Sequence, residues 1–205
     1  MLAILGTRRA VRRVAFGKIA ACGDFVRVGG PDADVERLDA CVDAAIARAH
    51  TAGGAARPVG LSRTREVAFV EVGVTSAWRG LAGVIVPSVD AVGRAYPLVL
   101  AVTAPLGDRR RAIHSAPASL ASFVDTALRA ARVGATGPRV RLAELVAGLE
   151  APDLDAPAVP PGARGASVVW TPDGRFVAVA CGPLDPGVFA GAFGARPDGA
   201  AEGGP

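Results

Sequence analysis

Two uninterrupted apolar runs, residues 82–86 and 96–103, flank one short polar segment, residues 87–95. Each run is short, rich in Val, Leu and Ala, and bounded by Gly, Pro or Tyr, which predicts a β-strand rather than a buried helix. A strand without an alternating polar face has both faces covered, as in the centre of a layered α/β domain. The pattern therefore predicts two central strands joined by a connection longer than a tight hairpin turn.

The remaining segments predict a layered α/β domain. Residues 66–74 alternate between two apolar faces and indicate a strand, whereas residues 32–50 carry apolar side chains at helical spacing after an acidic start. Further elements are predicted as strands at 11–19, 167–171 and 176–181 and as helices at 116–133, 139–149 and 185–189. Residues 20–30 and 150–165 are expected to be loops. We therefore expect a mixed sheet of about six strands with three or four helices.

The chain has the length and composition of one folded domain. It comprises 205 residues, of which 51% are hydrophobic and only 5% aromatic, so the core is expected to consist mainly of Ala, Val and Leu. We predict a single domain over residues 11–194. Residues 1–10 and 195–205 are expected to be flexible termini, since the C-terminal stretch is rich in Gly, Ala and Pro.

The charge pattern argues against a nucleic-acid partner. The formal net charge is +4, the arginines are scattered, Lys18 is the only lysine, and neither Asn nor Gln occurs. Such residue usage indicates a compositional bias, and a net charge this small produces a weak electrostatic field. One alternative stays open, namely an anion or nucleic-acid binder that uses Arg109–Arg111 and the N-terminal arginines.

The chain lacks the motifs of the common enzyme classes. It contains no phosphate-binding glycine loop, no HExxH and no nucleophile elbow. The histidines His50 and His114 are expected to be solvated or capping residues, and the cysteines lack metal-site spacing. We therefore predict no catalytic residue, no cofactor and no metal ion. The scattered cysteines indicate reduced thiols and no apolar run reaches membrane-helix length, so a cytoplasmic protein without membrane insertion is expected.

Structural roles explain the polar segment 87–95. Ser88 or Asp90 is suited to cap a helical turn, and one such turn would pair Asp90 with Arg94. Gly93 permits a positive φ at the exit. The segment is therefore interpreted as a capped, ion-paired crossover between two strands. The alternative is that Asp90 and Arg94 are presented at the sheet edge to contact a partner.

A second polar segment, Gly23-Asp24-Phe25, follows the first predicted strand. Gly23 lets the chain turn, and Asp24 is expected to accept hydrogen bonds from the following amides in an Asx-type turn. Phe25 and Val26 are expected to return the chain to the core. The alternative interpretation is a surface loop with a binding role.

These two segments carry a resemblance to a known family. The sequences FGKIAACGDFV at residues 16–26 and GVIVPSVDAVGRAYPL at residues 83–98 resemble the two signatures of TagF, a family of type VI secretion-associated proteins. The resemblance spans residues 14–193 and includes the predicted strand pair and helix near the C-terminus. The sequence departs from the family in three places. Phe16 stands where the family has Tyr or Trp-Tyr, the Ala-rich helix 32–50 lacks the family's aromatic residues, and the linker 51–65 matches poorly.

The resemblance implies a three-layer α/β/α sandwich and a non-enzymatic, cytoplasmic accessory protein. Family members are understood to restrain assembly of the secretion machine post-translationally. The implied partner is a forkhead-associated (FHA) scaffold protein encoded with the system. The motif residues are then the candidate partner-binding residues: Gly23, Asp24, Phe25, Ser88, Asp90, Gly93 and Arg94.

A small-ligand-binding protein or an enzyme is the main competing hypothesis. It would use a cleft around Asp24, Asp90 and Arg94. It requires these three side chains to converge in one pocket that contains a strongly shifted carboxylate. If they lie apart or on a flat surface, the hypothesis fails.

Overall fold

The computed structural model describes five stretches of the chain: residues 10–52, 65–74, 78–158, 163–175 and 177–193. Both predicted flexible termini fall outside these stretches, apart from Ala10. No helix in the described part of the chain has the length and apolar character that crossing a membrane requires.

In the described stretches, eight strands form one predominantly antiparallel sheet. They are β1 (Arg12–Gly17), β2 (Val26–Val28), β3 (Val67–Val72), β4 (Arg79–Val86), β5 (Leu98–Arg111), β6 (Leu154–Pro157), β7 (Ala166–Trp170) and β8 (Val177–Ala180). Their order is β2-β1-β5-β4-β3-β7-β8, and β6 pairs with β5 outside this path. The β5–β6 pair is parallel and the other pairs are antiparallel. The sheet is therefore mixed, as predicted, with eight strands instead of about six.

Five α-helices accompany the sheet in the described part of the chain. They are α1 (Ala33–Ala52), α2 (Ala116–Ser119), α3 (Ala121–Thr136), α4 (Arg139–Ala147) and α5 (Pro186–Ala192). The predicted helices 32–50 and 139–149 correspond to α1 and α4. The predicted helix 116–133 is divided into α2 and α3 at Leu120, whose φ of −102° and ψ of 7° depart from helical geometry.

Two short strands, β2 and β6, lie in segments that the sequence predicts to be loops. β2 has three residues and β6 has four, so neither can display a clear hydrophobic period. Each is defined by its neighbour in the sheet, β2 by β1 and β6 by the outer part of β5. The outer part of β5 pairs with β6, and β5 therefore extends beyond its predicted end at residue 103.

The two apolar runs form the adjacent strands β4 and β5 in the middle of the sheet, as predicted. Their antiparallel register runs from the Arg79–Pro105 pair to the Val86–Leu98 pair. The segment between them is consequently a hairpin loop, and the predicted crossover is wrong. Gly83 allows the strands to pack closely, because a Cβ atom there would lie 2.2 Å from the carbonyl oxygen of Leu100.

The buried side chains form two hydrophobic clusters. One contains Ala68 and Val70 of β3 together with residues of α3 and α4. The other contains Val67 and Phe69 of the same strand together with residues of α1 and α5. Successive side chains of a strand point to opposite faces of its sheet, so both faces of β3 are buried.

Two buried carboxylates attach α1 and its N-terminal flank to the sheet. Asp32, just before α1, pairs with Arg79 of β4 at 3.2 Å. Glu71 of β3 pairs with Arg37 of α1 and accepts the backbone N–H of Leu184 at 2.7 Å. Burial raises the pKa of Glu71, although the Leu184 amide and Arg37 oppose that rise. These contacts fix α1, which contributes two carboxylates to the site described next.

Candidate functional site

The two polar motif segments lie side by side. They form the β1–β2 loop, residues 18–25, and the β4–β5 loop, residues 87–97. The backbone N–H of Ala91 in the second loop donates to the carbonyl oxygen of Cys22 in the first at 3.0 Å. Segments far apart in the sequence therefore form one structural feature.

Asp90 is the centre of the contacts between the two loops. Its Oδ2 accepts hydrogen bonds from Lys18 Nζ at 2.9 Å and from Arg94 Nε at 2.7 Å. Its Oδ1 accepts the backbone N–H groups of Val92 at 3.0 Å and of Arg94 at 2.8 Å. Burial alone would raise the pKa of Asp90, but these hydrogen bonds outweigh it and hold the pKa below its ordinary value. Arg94 also donates to the carbonyl oxygen of Gly23, so the network joins both loops.

The predicted Asp90–Arg94 ion pair is confirmed, but in a different local structure. The backbone N–H of Asp90 donates to the carbonyl oxygen of Arg94 at 3.1 Å, and Val89 forms a β-bridge with Ala95. The segment is a tight turn at the tip of a hairpin, so the predicted helical turn is wrong. Gly93 has a φ of +84°, as its predicted role requires.

Of the two predicted capping residues, Asp90 accepts backbone N–H groups and Ser88 does not, and Asp24 does not have its predicted role. The Ser88 hydroxyl is buried and has no hydrogen-bond partner among the described residues, so it caps no turn. The Asp24 carboxylate is exposed and makes no hydrogen bond or ion pair within the described residues, so the predicted Asx-type turn does not form. Gly23 is also exposed, with open space around the position of a Cβ atom.

Of the two residues predicted to return the chain to the core, Val26 does so, whereas Phe25 lies on the surface. Its exposed fraction is 60%, whereas the next residue, Val26, is buried. The Phe25 ring meets Tyr96 edge-on with ring centroids 4.6 Å apart, and Lys18 Nζ lies 5.3 Å from the Phe25 centroid. These contacts hold a largely exposed aromatic ring in place.

The two joined loops both carry exposed side chains, which we together call the motif face. Its members are Asp24, Phe25, Val89, Val92 and Arg94. Val92 is 69% exposed and Val89 is 44% exposed, so the face is markedly apolar. The buried Asp90 network joins the two loops that carry these side chains, so the motif face is connected to one ion-paired unit.

A cleft of about 260 Å³ adjoins the motif face, and the sequence analysis did not predict it. Its lining residues are Phe16, Phe25, Val26, Arg27, Asp39, Asp43 and Tyr96, and we call it the aromatic cleft. The Tyr96 hydroxyl donates to Oδ1 of Asp43 at 2.6 Å, and Arg27 pairs with Asp39. Burial raises the pKa of Asp39, Asp43 adds to the rise, and Arg27 opposes it.

None of three pockets within the described stretches is lined by Asp24, Asp90 or Arg94. Asp90 and Arg94 are paired, whereas Asp24 forms no hydrogen bond or ion pair with either of them within the described residues. The Asp90 pKa is shifted, but the shift is downward and comes from hydrogen bonds within the two loops. No group of three or more His, Cys, Asp or Glu side chains that could hold a metal ion occurs among the described residues.

The basic clusters of the anion-binding alternative are partly engaged in ion pairs. Arg12 lies 3.5 Å from Asp32, and Arg111 lies 3.0 Å from Asp155. The two arginines that precede Arg111 are exposed. Arg8 and Arg9 lie outside the described residues.

Lys18 and the aromatic cleft are the parts of the site that sequence reasoning missed. Lys18 is the only lysine of the chain, and it lies in the first motif segment, which was an available signal. A buried ammonium group requires a charged or polar partner, but the sequence alone does not indicate that the partner is Asp90. The cleft combines residues from four separate segments and leaves no local pattern.

The chain is similar to one protein family and to a solved structure. A family model described as the TagF N-terminal domain, type VI secretion system-associated, matches residues 14–151, which include both motif loops. No curated protein gives a significant match. Among solved structures, the chain is similar to PA0076 from Pseudomonas aeruginosa PAO1, with a TM-score of 0.62 and 23% identity over 90% of this chain and 94% of that chain. This structural likeness concerns the fold alone.

Proposed function

The chain belongs to the TagF N-terminal domain family of type VI secretion system-associated proteins, and on this premise we propose that it is a regulatory binding protein of that system. It binds an FHA-domain scaffold protein in the cytoplasm and thereby restrains assembly of the secretion machine. The role is non-enzymatic and requires no cofactor.

The observation that carries this proposal is the motif face. Contiguous exposed apolar side chains mark interaction sites, and aromatic residues are enriched at the centres of protein interfaces. Phe25 and Val92 are largely exposed, while the buried Asp90 network holds both of their loops. A face that is already ordered loses little conformational entropy on binding, which suits contact with a protein partner.

The ionisable groups of the two loops support binding rather than catalysis. The Asp90 carboxylate accepts four hydrogen bonds, and its lowered pKa keeps it an anion. A general acid or base works best with a pKa near the operating pH, so Asp90 is shifted in the wrong direction. A ligand-binding or enzymatic cleft around Asp24, Asp90 and Arg94 has less support, since Asp24 forms no hydrogen bond or ion pair with the other two within the described residues.

For the fold, we infer the three-layer α/β/α arrangement that the resemblance implies. Its support is the division of the core, in which α3 and α4 share a cluster with one face of β3, and α1 and α5 share a cluster with the other face.

Copurification and a secretion assay test the proposed function. The full chain is expected to retain the FHA-domain protein encoded with the same secretion system. Deletion of its gene is expected to increase the release of effectors. Failure to retain the FHA-domain protein, together with unchanged effector release after deletion, would overturn the proposal.

A further inference from the structure

The aromatic cleft has no role in the function proposed above. We propose that it receives one basic side chain, an arginine or a lysine, from the protein that docks on the motif face. This inference rests on the proposed function in taking the occupant to be part of a protein partner. Phe25 connects the two sites, because it belongs to the motif face and also lines the cleft.

The walls of the cleft suit a cation. Phe16, Phe25 and Tyr96 all line it, and aromatic rings attract ammonium and guanidinium groups within about 6 Å of their centroids. The chain's own cations already use two of these rings. Lys18 Nζ lies 5.3 Å from the Phe25 centroid, and the Arg27 guanidinium carbon lies 5.5 Å from the Phe16 centroid.

The carboxylates give the cleft a negative charge. Asp39 and Asp43 are four residues apart on α1, so their side chains lie on the same helix face. Arg27 donates to Oδ2 of Asp39, and Tyr96 donates to Oδ1 of Asp43. The other oxygen of each carboxylate has no hydrogen-bond partner within the described residues. The cleft is lined by the Arg27 guanidinium and by the carboxylates of Asp39 and Asp43. These three groups carry a net negative charge, which an incoming cation would balance.

The size of the cleft fits a single side chain. Its volume of about 260 Å³ is near the lower limit of the roughly 300–1,000 Å³ of typical small-molecule sites. Arginine and lysine combine an apolar stem with a charged head, which matches aromatic walls beside carboxylates. Lys18 does not oppose such an occupant strongly, because Asp90 neutralises its charge. An acidic side chain is disfavoured, since both carboxylates would repel it.

A titration of the full chain tests the charge preference directly. N-acetyl-arginine amide and N-acetyl-lysine amide serve as probes, and backbone amide resonances are followed by NMR. N-acetyl-citrulline amide is the matched control, because it has the shape of the arginine probe without its charge. We expect saturable shifts at Phe25 and Tyr96, with the citrulline probe binding about tenfold more weakly. Equal binding of arginine and citrulline probes, or an absence of shifts at these residues, would overturn the inference.

Variants of the full chain test the location. Replacing Asp39→Asn together with Asp43→Asn removes the negative charge and leaves an oxygen acceptor for the Tyr96 hydroxyl. This double variant is expected to bind the arginine probe about tenfold more weakly, whereas Glu150→Gln, at an exposed carboxylate, should bind it normally. If the double variant is unfolded, Phe25→Leu provides the test, since it keeps an apolar contact and removes a ring face. Unchanged affinity in the folded variant would contradict the inference.

The same double variant separates this inference from the proposed function. Weaker binding of the FHA-domain scaffold by the double variant, with normal binding by Glu150→Gln, supports both. Scaffold binding at the wild-type level by the double variant contradicts the role of the cleft and leaves the proposed function standing. If the wild-type chain does not bind the scaffold while the arginine probe still binds the cleft, the proposed function fails and the preference for a basic side chain is supported.

Discussion

Lys18 and Asp90 form a buried ion pair across the two motif loops, with Nζ 2.9 Å from Oδ2, although the two residues are 72 positions apart in the sequence. The side chains of both residues are almost inaccessible to solvent. The pair converts two loops of separate hairpins into one unit whose outer surface is the motif face. The stability of this unit and its role in binding can be measured separately.

Substitution of the lysine tests the ion pair. Removal of one partner from a buried pair leaves the other charge uncompensated and costs about 3–5 kcal/mol. Because Arg94 still contacts Asp90, we expect Lys18→Met to lower the free energy of unfolding by an amount near the lower end of this range. Urea denaturation monitored by circular dichroism measures the change. Arg110→Met, at an exposed arginine, is the control, and an equally small loss in both variants would contradict the account.

The pKa of Asp90 predicts how stability depends on pH. The folded-state pKa lies below the ordinary value, so the ionised carboxylate stabilises the fold above the unfolded-state pKa of about 3.9. This contribution is lost as the pH falls through the lower folded-state pKa. The difference in unfolding free energy between the wild type and Asp90→Asn should therefore narrow below about pH 4.

Urea denaturation at pH values from neutral to acidic measures this difference. Asp24→Asn is a suitable control, because Asp24 is exposed and makes no contact within the described residues. A difference between wild type and Asp90→Asn that stays constant over the whole range would show that the ionised Asp90 does not stabilise the fold.

Replacing each of three motif glycines by alanine should lower the stability of the fold by different amounts. Gly17 has a φ of +129° and its Cβ would lie 2.1 Å from the carbonyl oxygen of Pro97, so Gly17→Ala should be the most destabilising. Gly93 has a φ of +84° in open space, which predicts only backbone strain of about 1–2 kcal/mol. Gly23 has neither constraint, and Gly23→Ala should change stability by less than about 0.5 kcal/mol. Thermal denaturation of the three variants gives the ranking, and any other order would contradict this explanation.

Continuous apolar runs and helical spacing made the central part of the fold predictable. The apolar runs of β4 and β5 identified the middle of the sheet, and the helical spacing of residues 32–50 identified α1. The four-residue spacing of Asp90 and Arg94 was sufficient to predict their pairing, because that spacing brings them together in a tight turn as well as in a helix. The turn type itself depends on the strand direction, which the local sequence does not specify.

The features that escaped prediction depend on contacts between distant segments. The β2 strand exists because it pairs with β1, and Lys18 is buried because Asp90 approaches it from another hairpin. Phe25 and Val26 were expected to return the chain to the core together, but only Val26 is buried, and Phe25 packs against Tyr96 with most of its ring exposed. A hydrophobic residue in a loop therefore needs a three-dimensional context before it is assigned to the core.

Calorimetric titration of the full chain with the FHA-domain scaffold tests the central claim, that the motif face is the binding surface. Val92 on the motif face and Val140 on α4 are matched in exposure, at 69% and 67%, so each can be replaced by aspartate with little effect on the core. We predict that Val92→Asp weakens scaffold binding by about tenfold or more and that Val140→Asp binds like the wild type. Wild-type affinity in Val92→Asp, or an equal loss in both variants, would contradict the account.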